Sequence, residues 1–98
     1  MSSINDLHKA FENRIRLGIM SALAVNDTID FTSLRDLLDV TDGNLATHLR
    51  KLEKEDFIGV EKSFIDNKPN TQYHITPKGK TAFEEHLTVL EQIIKSHK

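Results

Sequence analysis

Between Thr41 and Lys54 the chain concentrates side chains able to read a polar surface: Thr41, Gly43, Asn44, Thr47, His48, Arg50, Lys51 and Lys54. Leu45, Leu49 and Leu52 run among them at i, i+4 and i+7, the spacing of one buried helical stripe. With the leucines inward, a helical step of about 100° carries Gly43, Asn44, Thr47, Arg50, Lys51 and Lys54 outward. His48 falls on the flank. These types suit base-edge chemistry: Asn pairs with adenine, Arg or Lys with guanine, and the Thr methyl touches thymine. Gly43 leaves the first turn bare, so its backbone N–H groups can approach a phosphate. Asp42 opposes such a contact unless it serves the helix dipole. A solvated surface face is the plain alternative for the same residues.

A second group, Lys62, Asn67, Lys68 and Asn70, lies in and beside a run of turn formers. A basic loop tip can hold a phosphate backbone or enter a minor groove. Five histidines raise the question of metal. His86 and His97 share a helical face but stand about 16 Å apart along the axis, so one chain cannot chelate with both. His8, His48 and His74 have no ligand-like spacing, and the absence of cysteine excludes disulfides and thiolate sites. The chain has no Gly-rich phosphate loop, nucleophile motif or H-E-x-x-H. The expectation is no enzyme, no cofactor and no resident metal.

Positioning these groups takes a particular order of elements. Residues 4–25 read as helical, with an apolar band through Leu7, Ala10, Phe11, Ile15, Leu17, Ile19, Met20 and Leu23. Asn13 is placed to break that stretch in two. Thr28–Phe31 reads as a short extended piece, and Thr32 or Ser33 as the cap of a short helix carrying Leu34, Leu37 and Leu38. Thr41 caps the next helix, which runs to about Asp56. The period then changes to a strand over Phe57–Ile65, with Ile58, Val60 and Phe64 on one alternating set. Asp66–Asn70 predicts a five-residue loop, and Thr71–Ile75 alternates again, completing a hairpin. Thr76-Pro77 starts a last helix reaching about His97, with a stripe at Phe83, His86, Leu87, Leu90, Ile93 and Ile94. Two helices across a tight turn followed by a hairpin predict a mostly helical α+β fold. It is a winged helix-turn-helix with a two-stranded wing and a long C-terminal dimerisation helix.

Several stretches together resemble winged-helix transcriptional regulators of the MarR/ArsR type, in their short one-domain form. Asn13–Leu23 resembles their "N-x-x-R-L-x-I-L-x-x-L" helix, and Thr41–Glu53 is similar to their recognition helix with its "H-L-x-x-L" run. Asp56-Phe57-Ile58 stands where the family has "G-L-[IV]", and Thr71–Gly79 resembles the "Y-x-[LI]-T-x-x-G" exit from the wing. Asp56 in place of Gly is the departure. The resemblance covers about residues 10–80 and implies a double-stranded DNA partner, transcription regulation and a homodimer. Repression by occluding a promoter is the simpler mechanism. Excess apolar surface on the terminal helices, about 4–12 and 77–97, points to the dimer interface: Leu7, Phe11, Phe83, Leu87, Leu90 and Ile94. Glu84 and His86 meeting a partner's His97 resembles the zinc site of some ArsR-type sensors, but the chain stops before the further ligand. A protein-interaction module on the same fold, or a metal-responsive regulator, are the other readings.

The bulk numbers bound all of this. Ninety-eight residues make one domain spanning 1–98, and 38% hydrophobic with 29% charged residues is a globular mixture. No apolar run approaches the roughly 20 residues of a membrane span, and the amino terminus lacks a secretory pattern, so the expected location is cytoplasmic. The sequence assigns no small-molecule effector. A net charge of −2 argues against a phosphate-rich partner until it is divided along the chain. Residues 43–80 carry seven basic and five acidic side chains, whereas residues 1–42 carry four and seven. The positive excess coincides with the recognition helix and wing.

Overall fold

The computed structural model describes residues 4–96. Two 3-10 turns (Ile4–Asp6, Lys9–Phe11) precede helix α1 (Arg14–Ala24), strand β1 (Ile29–Asp30) and helices α2 (Phe31–Leu38) and α3 (Asp42–Lys54). Strands β2 (Ile58–Ile65) and β3 (Lys68–Ile75) follow, then helix α4 (Pro77–Ser96). This is the expected α+β winged helix-turn-helix, with its wing and its long last helix.

Helices begin where a side chain satisfies the free amides of the first turn. Asn13 Oδ1 accepts from the Ile15 and Arg16 N–H groups at 2.9 and 3.1 Å, so the break at Asn13 is real. Thr41 Oγ1 accepts from Asn44 N–H at 3.2 Å, and Thr76 Oγ1 from Gly79 N–H at 2.9 Å. The cap of α2 is neither Thr32 nor Ser33. Asp30 takes that place, its carboxylate accepting from Ser33 N–H at 2.7 Å, because its charge suits the positive end of the helix. Residues 4–12 also depart from expectation, forming two 3-10 turns rather than a helix. His8 interrupts them with an extended backbone, its ring accepting from Ala10 N–H and its own N–H donated to His86 Nδ1 at 3.3 Å.

The sheet is antiparallel in the order β1-β3-β2. The hairpin turn has two residues, not five: Asp66 and Asn67 both adopt left-handed φ, 51° and 64°. Such a turn matches the twist of paired strands, and short polar side chains tolerate it best. Lys68 and Asn70 therefore lie in β3 rather than in a loop. On the other edge of β3, Ile29 pairs with Tyr73, fastening the helix-turn-helix to the wing.

Ile19, Met20, Leu23, Leu34, Leu45, Leu49 and Leu52 are fully buried, so the α3 stripe packs as its spacing predicts. Phe57, Ile58 and Tyr73 close the core from the sheet. Gly79 is what lets α4 approach: a Cβ there would overlap the backbone carbonyl of Phe57. His8, Phe11, Phe57, Phe83 and His86 form an aromatic cluster with centroids 5.1–5.6 Å apart, tying the amino-terminal arm to α4. Phe11 and Phe83, expected in an exposed dimer stripe, are instead 2% and 6% exposed within the chain's own core. The reason is that ring-on-ring packing across the arm buries both.

Candidate nucleic-acid interface

With its leucines buried, α3 leaves Gly43, Asn44, Thr47, Arg50, Lys51 and Lys54 exposed. Thr41 is occupied as the cap. Thr47 donates its hydroxyl back to Gly43 O at 2.9 Å, which leaves the methyl as its free group. A Cβ at Gly43 would meet nothing within 4 Å, so no internal packing demands glycine there. Asp42 is held by Arg35, whose Nη1 donates to its carboxylate at 3.0 Å while Nε reaches Asp36 at 3.2 Å. Those two bonds, Asp42 first, raise the Arg35 pKa and offset the one carboxylate in the first turn of α3.

His48 is drawn away from the outward face. Arg16 Nη1 donates to its Nδ1 at 3.0 Å, and Arg16 Nε donates to Ala10 O at 2.7 Å. A guanidinium only donates, so His48 must present a bare Nδ1 and is neutral. Burial, then the charges of Arg16 and Lys51, lower its pKa. Its place is thus against α1, where it joins α3 to that helix.

On the wing, Lys62, Asn67 and Lys68 are exposed, Lys62 on the face of Ile58 and Val60 and Lys68 on the opposite one. Asn70 is half-buried, with Nδ2 unpartnered. Elsewhere, Leu87 and Ile94 are exposed on α4, while Leu90 and Leu7 are half-buried. Among the described residues no group of three His, Cys, Asp or Glu is placed to hold a metal. His86 is buried and accepts from the His8 amide; His97 lies outside the described residues. No described helix is long and apolar enough to cross a membrane.

The pattern described as the winged helix DNA-binding domain matches residues 15–94. The chain belongs to that family. It is 35% identical over 88 residues to an uncharacterised protein of Methanocaldococcus jannaschii, a match covering 90% of this chain and 96% of that one. A transcriptional regulator homologue from Pyrococcus horikoshii superposes with a TM-score of 0.84 at 31% identity, over 91% of this chain and 88% of its own. A protein assigned to the MarR family of transcriptional regulators, from Enterococcus faecalis, gives 0.75 at 25% identity over 90% and 78%. As a winged helix DNA-binding domain with MarR-family neighbours, this chain is a DNA-binding regulator.

Two features of this interface were not legible as such in the sequence. Arg16 looks like a stray charge inside the apolar band of α1, and that interruption was the available signal. Arg35 gives no local sign, because its partner Asp42 lies across the turn of the helix-turn-helix.

Proposed function

We propose that the chain is a homodimeric repressor that binds double-stranded DNA and has no catalytic role. In this reading α3 enters a major groove, with Asn44, Thr47, Arg50 and Lys51 toward base edges and Gly43 against a phosphate. Lys62 and the turn residue Asn67 of the wing strap the flanking backbone, while Lys68 and Asn70 lie on the opposite face of the hairpin. The observation that carries it is the exposed polar face of α3 over a wholly buried leucine stripe, with Arg35 masking Asp42 beside it. Leu87, Leu90 and Ile94 supply the pairing surface of α4, since 46% and 64% exposure of Leu87 and Ile94 is apolar area left for a second copy. Occluding a promoter requires only binding, which makes repression the simpler mechanism.

Selection from a random duplex library, followed by affinity measurements across a salt series, tests the reading. Lys51→Ala and Lys62→Ala should each weaken binding and lower the salt slope by about 1. A native protein that retains no duplex at low salt refutes it. Sedimentation at two protein concentrations tests the dimer, and a mass fixed at that of the monomer excludes it.

A further inference from the structure

Phe64 is 76% exposed at the outer end of the wing, one residue before Ile65 and directly across from Pro69. Fully burying such a ring contributes about 1.5–3 kcal/mol, and nothing among the described residues covers this one. Its face of the hairpin is defined by register. Phe64, Lys62, Val60 and Ile58 alternate onto one side, and Val60 stands opposite Tyr73. Ile58 and Tyr73 on this side are buried in one core cluster with Leu45, Leu49 and Leu52 of α3, so this side of the sheet faces the helices. A duplex seated on the polar face of α3 meets the same side of the wing.

The hairpin carries the ring away from the core. Phe64 lies four residues beyond Val60, about 13 Å outward along the strand. Half a turn of B-DNA is roughly 17 Å, the separation between a major groove and the minor groove beside it. Lys62, two residues inboard on the same face, is placed for the phosphates that edge that minor groove. The same ammonium disfavours an apolar partner surface, which would strip its water without replacing the hydrogen bonds.

We infer that Phe64, backed by Pro69, is a wedge that enters between two stacked base pairs from the minor-groove side, opening one base step and kinking the duplex toward the major groove. The inference rests on the DNA-binding reading and names what the wing recognises. A phenyl ring carries no donor or acceptor, so it selects by the cost of unstacking. Pyrimidine–purine steps, TA and CA/TG, open most easily. Each protomer of a two-fold dimer places one such step outside its half-site, giving specificity at positions that no polar side chain touches.

The probe is a duplex recovered by the library selection, carrying a donor–acceptor dye pair at its ends and 2-aminopurine at successive flank positions. Native protein should shorten the end-to-end distance and raise 2-aminopurine fluorescence at one step per half-site. Phe64→Ala should lose both signals and bind about tenfold more weakly, with an unchanged salt slope because no phosphate contact is lost. Phe64→Leu should keep most of the kink, while Lys62→Ala should keep the kink and lower the slope by about 1. Exposure of the ring predicts that Phe64→Ala melts as the native protein does.

Bending and unstacking by Phe64→Ala equal to native overturns the wedge. So does a native complex that leaves the duplex straight, or a Phe64→Ala protein whose sedimentation mass falls, which would put the ring against a second copy. Failure of native protein to retain any duplex at low salt is a distinct result: it removes the DNA-binding reading itself, and the wedge with it.

Discussion

Two glycines of the same helical type face opposite constraints. Gly43 meets nothing in its own chain, whereas a side chain on Gly79 would collide with the Phe57 carbonyl. Gly43→Ala should therefore stabilise the free protein by about 0.5–1 kcal/mol, the helix-propensity gain, and still weaken duplex binding if a phosphate approaches the bare backbone. Urea unfolding and a binding titration on one variant check both halves. Gly79→Ala should destabilise by about 1–3 kcal/mol, since α4 must shift off a backbone oxygen that cannot rotate away. A denaturation midpoint equal to the native one would count against that account. Both glycines are visible in the sequence, but nothing in their local context separates them. Only the neighbour across the fold does so.

At the scale of elements, the end of α3 shows a cost that the chain carries. Asp56, standing where the resembling regulators have glycine, adopts a left-handed φ of 62°. Its carbonyl accepts from Thr76 Oγ1 at 2.6 Å, so the conformation is held by the start of α4. Asp tolerates this region better than most residues but less well than glycine. Asp56→Gly should raise stability by up to about 1 kcal/mol, part of the strain relief being offset by a freer unfolded chain. Thermal unfolding of this variant checks the sign. The wing turn makes the parallel case, since Asp66 and Asn67 were legible as turn formers but not as a two-residue turn. Turn type depends on strand register, and register is set by Ile58 and Tyr73 finding the core.

For the whole molecule, two histidines couple the fold to pH. Burial, then the proximity of His8, lowers the His86 pKa from its ordinary 6.5; burial, Arg16 and Lys51 do the same for His48. The unfolded chain thus binds protons more readily, so stability rises with pH across this window. It is fully present above about pH 6.5 and declines as pH falls from there toward the lowered native values. Melting temperature should be lower at pH 5 than at pH 7.5, and His86→Asn with His48→Asn should shrink that difference. A drop of native size in the double variant would assign it to the carboxylates instead. His86 joins the arm to α4 and His48 joins α3 to α1, so protonation loosens the seams between elements rather than any one helix.

By itself the sequence determined what depends on near neighbours: the leucine stripe of α3, the caps at Asn13, Thr41 and Thr76, the alternation of the wing, and the family. Those signals are periodic or sit within one turn of the backbone, so residue types carry them directly. Tertiary structure decided whatever required two distant segments to meet. It turned His48 toward Arg16, placed Phe11 and Phe83 in the core instead of on a dimer stripe, paired Asp42 with Arg35 and left Phe64 uncovered. An apolar stripe specifies that a face will be buried. Which other face buries it follows from close packing of the whole chain, and no single segment contains that information.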